Sequence, residues 1–166
     1  MPTDDHRMQI TVKDLGDHSQ SLAKLKPGTW VAIEGPYGAF TPDARSGDKV
    51  LLVGAGVGSA PIRALLQDLP MHTDVVVLLR ASTREELVLR DAITPDVHRR
   101  GGRIIELPGS RRQVPLDASA LQALVPDVRR RDTDVCGPEA FTDNLAGSLR
   151  EAGVAADRIH FESFAF

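Results

Sequence analysis

The chain lacks several features that would place it in a specialised class of protein. Among its 166 residues there is one cysteine, Cys136, which excludes an internal disulfide framework and gives no sign of an oxidising compartment. No apolar run approaches the roughly 20 residues that a membrane-spanning helix needs, and residues 1–8 are too polar for a signal peptide. We therefore expect a cytoplasmic chain without a membrane segment, placed at the cytoplasmic face of a membrane if a longer parent is anchored there.

A strong excess of one charge is also missing. The net charge is -3, so the chain has no global positive field for nucleic acid, although arginines cluster at 99–100, 111–112 and 129–131. The five histidines are scattered and show no spacing typical of a metal site or of a Ser-His-acid triad. We expect neither nucleic acid nor a metal ion as a ligand.

Aromatic residues are scarce, with one tryptophan, one tyrosine and five phenylalanines. Tyr37 is followed four positions later by Thr41, not by the lysine that a stand-alone short-chain dehydrogenase requires. Tyr37 and Phe40 both lie in a turn rich in glycine and proline, where they give a loop unusual apolar surface or plug a small core.

The most informative stretch joins an apolar strand pattern to a helical one through glycines. Residues 50–53 read Val-Leu-Leu-Val, and Gly54, Gly56 and Gly58 follow before a helical pattern begins at Pro61. Such glycines permit positive φ and close approach of a ligand, while the helix N-terminus offers unpaired N–H groups to a phosphate. The dinucleotide fingerprint Gly-x-Gly-x-x-Gly is met only in part, so a purely structural turn is an equal alternative for this stretch alone.

Strand and helix patterns alternate after a linker-like segment at 41–48. The predicted strands are 50–53, 74–79, 103–107, 134–136 and 158–161, and the predicted helices are about 61–69, 84–93, 117–124 and 138–152. The fully apolar strands indicate a parallel sheet covered on both faces. We predict an α/β fold with a doubly wound parallel sheet, Rossmann-like, over residues 45–166. Within residues 1–44, strand patterns at 9–13 and 29–33 flank a short helical pattern at 18–26.

Ligands of such sheets bind at the carboxyl ends of the strands. The second predicted strand ends at Arg80 and Ser82, where an adenosine-binding site normally has an acidic residue on the ribose. A guanidinium there suits a 2′-phosphate, and Ser110 with Arg111 offers a hydroxyl and a second cation. These residues favour NADP over NAD and argue against a methyltransferase, although a chain rich in arginine places one in many loops.

Three ordered motifs carry a resemblance to a known family. They are Gly56-x-Gly58-x-x-Pro61, Cys136-Gly137-Pro138 and the terminal sequence His-Phe-Glu-Ser-Phe-Ala-Phe at 160–166. Together they resemble the ferredoxin-NADP(+) reductase superfamily, and in particular its ferric reductase and NADPH oxidase branch of flavoprotein reductases. The resemblance covers nearly the whole chain, because residues 10–13 and 35–40 are similar to the second half of that family's flavin-binding barrel.

The resemblance implies a role for each matching residue. The pyrophosphate of the pyridine nucleotide would be held by Gly54, Gly56, Gly58 and Pro61. Cys136 would lie beside the nicotinamide, with Gly137 and Pro138 shaping the loop, and Glu162 would hydrogen-bond in the same site. The flavin would be contacted by Phe164, which would stack on it in competition with Phe166, by Lys13 at its phosphate and by the nearby Tyr37. Each also has a plainer interpretation: Cys136 as a small buried side chain, Phe164 as cover for a sheet edge, Lys13 as a solvated charge.

The resemblance also implies a function and a gap. The expected activity is electron transfer in which NAD(P)H passes a hydride to FAD, which then reduces a one-electron acceptor such as ferric iron, haem or an iron-sulfur protein. The family's Arg-x-Tyr-Ser/Thr flavin motif has no match upstream of Lys13, and Ala60 replaces a usual hydroxyl residue. Residues 1–44 are thus expected to be an incomplete, antiparallel part of the FAD barrel, with FAD binding weak or absent. The alternative is a non-catalytic nucleotide-binding module, or a fragment that needs a partner chain for flavin.

Overall fold

The computed structural model describes residues 9–34, 40–41 and 45–164. The chain forms two compact units, Met1–Ala39 and Phe40–Phe166. Within residues 9–34, the described part of the first unit, α1 (Asp17–Leu22) is the one helix and no strand is assigned. Throughout the part of the chain that the structure describes, no helix combines the length and the apolar character needed to cross a membrane.

One parallel sheet forms the centre of the second unit. Its strands in chain order are β1 (Lys49–Ala55), β2 (Asp74–Ala81), β3 (Arg103–Pro108), β4 (Asp132–Pro138) and β5 (Ile159–Phe164), and their spatial order is β3-β2-β1-β4-β5. The helices between them are α2 (Ser59–Asp68), α3 (Arg90–Arg99), α4 (Ala118–Leu124) and α5 (Glu139–Glu151). Strand order reverses between β1 and β4, so the predicted doubly wound α/β fold is confirmed.

Helices cover both faces of the sheet because its central strands are apolar on both sides. On one face, Leu51 and Val53 of β1 pack in a core with Leu121 of α4 and Leu145 of α5. On the other face, the alternate residues of β1 pack with α2 and α3. Residues 50–53 are fully buried, which explains why they show a continuous apolar run and no alternation.

The helix predicted at 84–93 is wrong in position, because α3 begins only at Arg90. Arg84 and Arg90 both hydrogen-bond the carboxylate of Glu106 in β3, and Leu87 is buried. These contacts hold the intervening residues as a turn, and Leu89 takes a left-handed conformation with φ 59° just before the helix. Tertiary contacts therefore override the good helix propensity of residues 84–87.

The strands predicted at 9–13 and 29–33 are also wrong in the described part of the first unit. A strand is defined by a partner that accepts and donates its backbone hydrogen bonds, and neither segment is paired in a sheet. Their apolar residues are instead exposed, with Trp30 98% accessible and Ile10 and Ile33 also exposed. The helix predicted at 18–26 is shorter than expected and ends at Leu22. The identities of 1–44 and 45–166 as flavin and nucleotide domains stay predictions.

Candidate functional site

The three predicted glycines occupy different surroundings, and only one of them leaves room for a ligand. A Cβ added at Gly58 would lie 2.2 Å from the carbonyl oxygen of Cys136, and one added at Gly54 would lie 3.0 Å from Cα of Ser59. Gly58 therefore requires glycine for packing, and Gly54 lies in a tight contact with the start of α2. Gly56 has φ +56°, and an added Cβ would meet no atom within 4 Å. The backbone at Gly56 is thus open to close approach from outside.

The turn leads directly into α2 at the carboxyl edge of the sheet. Gly56–Gly58 forms a 3-10 turn, and Gly58 is the N-cap of α2 without a side-chain hydrogen bond to the first amides. Pro61 lies in the first turn of α2, where the missing N–H of proline is tolerated. The helix end therefore keeps its partial positive charge at an open glycine turn.

The end of β4 brings Cys136 beside this turn. Cys136 is the register partner of Gly54 in β1 and of Glu162 in β5, and it is 1% exposed. Burial, assisted by the nearby Glu162 carboxylate, raises the pKa of the Cys136 thiol to about 12. Cys136 is therefore a neutral thiol at physiological pH.

The residues after Cys136 make a tight contact with β1. An added Cβ at Gly137 would lie 2.9 Å from Cβ of Ala55 and 2.9 Å from Cδ1 of Phe141. Pro138 is the register partner of Phe164, whose partly buried ring packs against the core cluster that includes Cys136. The structure thus brings Cys136, Glu162 and Phe164 to one corner of the sheet, and Glu162 is exposed there.

A cavity of about 220 Å³ lies on the same edge of the sheet, between β2, the segment after β3, and α5. Its lining residues are Arg80, Arg111, Val114, Pro115, Leu116, Asp117, Phe141, Asn144, Leu145 and Ser148. Arg80 donates to the carbonyl of Leu107 at 3.3 Å, and Arg111 donates to the carbonyl of Ala140 at 3.5 Å. Burial lowers the pKa of Arg80, and the charge of Arg111 lowers it further. Two cations thus lie close together at one cavity.

The other predicted residues are placed less decisively. Ser110 is exposed in the turn after β3, where its N–H donates to the side chain of Gln113 at 2.9 Å, and Ser82 is exposed after β2. Neither serine lines the cavity. Lys13 is exposed in the first unit, and Tyr37 and Phe166 lie outside the described residues.

Sequence reasoning missed the contribution of α5 to the cavity. Phe141, Asn144 and Ser148 line it together, and their spacing of three and four residues places them on one face of the helix. That spacing is visible in the sequence, but it equally suits an ordinary amphipathic helix. In the described ranges 9–34, 40–41 and 45–164, no group of three or more His, Cys, Asp or Glu side chains is arranged to hold a metal ion.

Comparison with known proteins gives relatives of one kind. The chain is 32% identical over 162 residues to an NADPH oxidoreductase of Mycobacterium tuberculosis, a match that covers 94% of this chain and 42% of that protein. It is 31% identical over 163 residues to the ferredoxin–NAD(+) reductase component of an alkene monooxygenase system of Xanthobacter autotrophicus, covering 83% of this chain and 46% of that one. No family model matches the chain.

Solved structures agree on the fold. The FAD/NAD binding domain of a nitric oxide dioxygenase from Vibrio cholerae superposes with a TM-score of 0.58 at 24% identity, over 69% of this chain and 50% of that one. The chain spans about half the length of the curated relatives it matches. Its relatives and structural neighbours are ferredoxin reductase-type flavoprotein reductases.

Proposed function

We propose that this chain is the pyridine-nucleotide part of an NAD(P)H-dependent flavoprotein reductase. The observation that carries the proposal is the convergence, at one edge of the sheet, of an open glycine turn, a Cys136–Glu162 pair and a cavity with two arginines. When bound, a nicotinamide supplies a hydride and a flavin accepts it and passes electrons on singly. The residues of the chain would hold, orient and shield these groups.

The glycine turn fits a pyrophosphate. Gly56 offers backbone without a side chain at a helix N-terminus, and Gly54 and Gly58 keep β1 and β4 close enough to form that turn. Pro61 begins the helix without an N–H to satisfy, and Gly137 and Pro138 would form the opposite wall.

The two-arginine cavity supports NADP in preference to NAD. Two neighbouring cations destabilise each other, and a 2′-phosphate between Arg80 and Arg111 would relieve that repulsion through charge-assisted hydrogen bonds. Asp117 also lines the cavity, but its carboxylate already accepts the N–H of Ala120 at 2.8 Å as the N-cap of α4. Ser110 and Ser82 would add hydroxyls at the rim.

The corner with Cys136 is suited to hydride transfer. A buried thiol kept neutral is a poor nucleophile, so it would not add to an oxidised nicotinamide ring, and it excludes water from that side. Glu162 is an exposed carboxylate that can accept or deliver a proton there, and Phe164 supplies an aromatic face at the rim.

Flavin binding by this chain alone is expected to be weak or absent. Lys13 and Tyr37 are proposed flavin contacts in residues 1–44, but strands that would carry a flavin barrel are missing from the described residues 9–34. The proposed electron acceptor is ferric iron, haem or an iron-sulfur protein. We also propose that the chain belongs to the ferric reductase and NADPH oxidase branch and that it is located in the cytoplasm. The exposed apolar side chains of residues 9–34 support a second candidate, a nucleotide-binding module that obtains its flavin half from a partner chain.

Calorimetric titration of the purified chain with NADP+, NAD+ and FAD tests the proposal. We expect NADP+ to bind more tightly than NAD+, and FAD to bind weakly, without a stable yellow complex. If neither NADP+ nor NAD+ binds, the reductase proposal and the module proposal are both rejected. NADPH oxidation on addition of free FAD separates them, because only a reductase turns over.

A further inference from the structure

A second polar cluster lies on the face of the sheet that carries Cys136, and the proposed function does not use it. Arg45, in the segment that leads into β1, donates its Nε to Oδ2 of Asp134 in β4 at 2.9 Å. The two residues are 89 positions apart, and their side chains are 4% and 1% exposed. Ser46 adds a hydrogen bond to Asp132 at 3.1 Å.

Several polar atoms of this cluster have no hydrogen-bond partner among residues 9–34, 40–41 and 45–164. They are Nη1 and Nη2 of Arg45, Oδ1 of Asp134 and Nε2 of His160, all buried. An ion pair this incomplete adds little stability, because an apolar pair of similar volume is often as good or better. Unsatisfied buried groups in a native fold instead point to internal water or to a function.

The position of the cluster connects it to the proposed hydride-transfer corner. Asp134 precedes Cys136 by two residues in β4, and His160 precedes Glu162 by two residues in β5, so each pair lies on one face. The register pairs Asp134 with His160 and Cys136 with Glu162. On this face of the sheet, the Asp134–His160 pair is therefore the rung that precedes the Cys136–Glu162 rung. Phe40, near the start of the same segment, packs on the core that contains Cys136.

We propose that Arg45, Asp134 and His160 are positioning residues that anchor the segment before β1 to the β4–β5 edge and hold the Cys136–Glu162 rung in place for hydride transfer. This inference rests on the proposed function. It assigns the cluster to the rate of the chemical step and not to the affinity for the 2′-phosphate, because the arginine cavity is lined by Phe141 and Leu145, which belong to the core on the other face of the sheet. Small displacements at a reacting centre cost rate steeply.

Three variants of the full 166-residue chain test the anchor: Arg45→Met, Arg45→Lys and the exchange Arg45→Asp with Asp134→Arg. The matched control is Lys49→Met, which removes an equal charge and an exposed ion pair with Asp127 at the first residue of β1. With NADPH and added FAD, we expect Arg45→Met to lower kcat about 10- to 100-fold while Kd for NADP+ changes less than about 2-fold. Arg45→Lys and the exchanged pair should recover part of kcat. Parallel loss of kcat and affinity, or an equal loss in Lys49→Met, would overturn the proposal.

Hydrogen exchange gives a readout that needs no turnover. Amides of residues 159–164 should exchange about 10-fold faster in Arg45→Met than in Lys49→Met at the same pH, because the edge opens locally without its anchor. Unchanged exchange would overturn the anchor even if the chain proves to be a reductase. Faster exchange in a chain that binds no pyridine nucleotide would reject the proposed function and keep the anchor as a structural device of the β4–β5 edge.

Discussion

Arginine has opposite surroundings at the two ends of the parallel strands, which we call the amino edge and the carboxyl edge of the sheet. At the amino edge, buried Arg131 donates to the carboxylates of Asp127 and Asp74 at 2.8 to 3.1 Å, and to the carbonyl of Asp74 at 2.9 Å. At the carboxyl edge, Arg80 donates to a backbone carbonyl at 3.3 Å, and among the described residues no carboxylate lies within ion-pair distance of it. Arg131 at the amino edge is thus paired with carboxylates, whereas Arg80 at the carboxyl edge lies beside a second cation, Arg111.

The pKa shifts follow the same division. The hydrogen bond from Arg131, with that from Lys49, lowers the pKa of Asp127 to about 2, so the amino edge favours the charged state of its acid. At the carboxyl edge, burial and Arg111 lower the pKa of Arg80, so its cation is less stable there than in water and would be stabilised by an anion, although it stays charged at physiological pH. Arg131 and Lys49 are thus paired with carboxylates, whereas among the described residues Arg80 and Arg111 have no carboxylate within ion-pair distance.

Removing Arg131 should give the largest effect on stability. Arg131→Met leaves Asp127 and Asp74 without their buried partner, and breaking such a network costs about 3–5 kcal/mol. Urea unfolding measures the loss, and Arg130→Met, at an exposed neighbour, should change the free energy of unfolding by less than about 0.5 kcal/mol. Equal losses in the two variants would show that the amino-edge network does not hold the fold.

The glycine turn offers the next largest contrast. Gly58→Ala places a Cβ against the backbone of Cys136 and should destabilise the fold by about 1–3 kcal/mol through overpacking. Gly147→Ala is the matched control, since an added Cβ there meets nothing within 4 Å and alanine favours a helix by about 0.5–1 kcal/mol. Thermal denaturation should move the two melting temperatures in opposite directions. A neutral Gly58→Ala would contradict the close contact between the turn and β4.

Reversing the cavity charges should change nucleotide preference more than stability. Arg80→Glu with Arg111→Glu should lower the affinity for NADP+ relative to NAD+ about 10-fold or more, because each charge-assisted bond to a phosphate contributes about 1.5–3 kcal/mol. Titration of both nucleotides gives the ratio of Kd values. Arg112→Glu, an exposed neighbour that does not line the cavity, is the control. If Arg112→Glu changed the ratio of Kd values equally, the effect would come from the net charge of the protein and not from the cavity.

Sequence reasoning predicted the sheet and named many residues of the candidate site because both depend on local patterns. Residues 50–53 and 75–79 are apolar without alternation, which a strand buried on both faces requires, and Cys136 lies two residues before the end of β4, which extends beyond the predicted 134–136. The glycines were identified by type, but the reasons differ: Gly58 is set by the backbone of β4, a neighbour distant in sequence.

The errors arose where distant contacts decide the local structure. Residues 84–87 have helix-forming composition, yet Glu106, on a later strand, binds the arginines on either side of the turn. The segments at 9–13 and 29–33 have strand composition but no strand beside them in the described residues. The ion pair of Arg45 with Asp134 spans 89 residues and has no local signature.

The smallest expected effect is the pH dependence contributed by the amino edge. The folded-state pKa of Asp127, about 2, lies below its ordinary 3.8, so the unfolded chain binds the proton more readily. Asp127 therefore contributes stability that is fully present above about pH 4 and is lost as the pH falls toward about 2. Partial solvent exposure limits the contribution to about 1 kcal/mol.

Urea unfolding between pH 5 and 2 should show a shallower acid dependence in Asp127→Asn than in the wild type, while Asp157→Asn, at an exposed position outside the network, should match the wild type. If Asp127→Asn kept the full slope, acid sensitivity would come from other carboxylates, and the contrast between a paired amino edge and an unpaired carboxyl edge would lose its electrostatic basis.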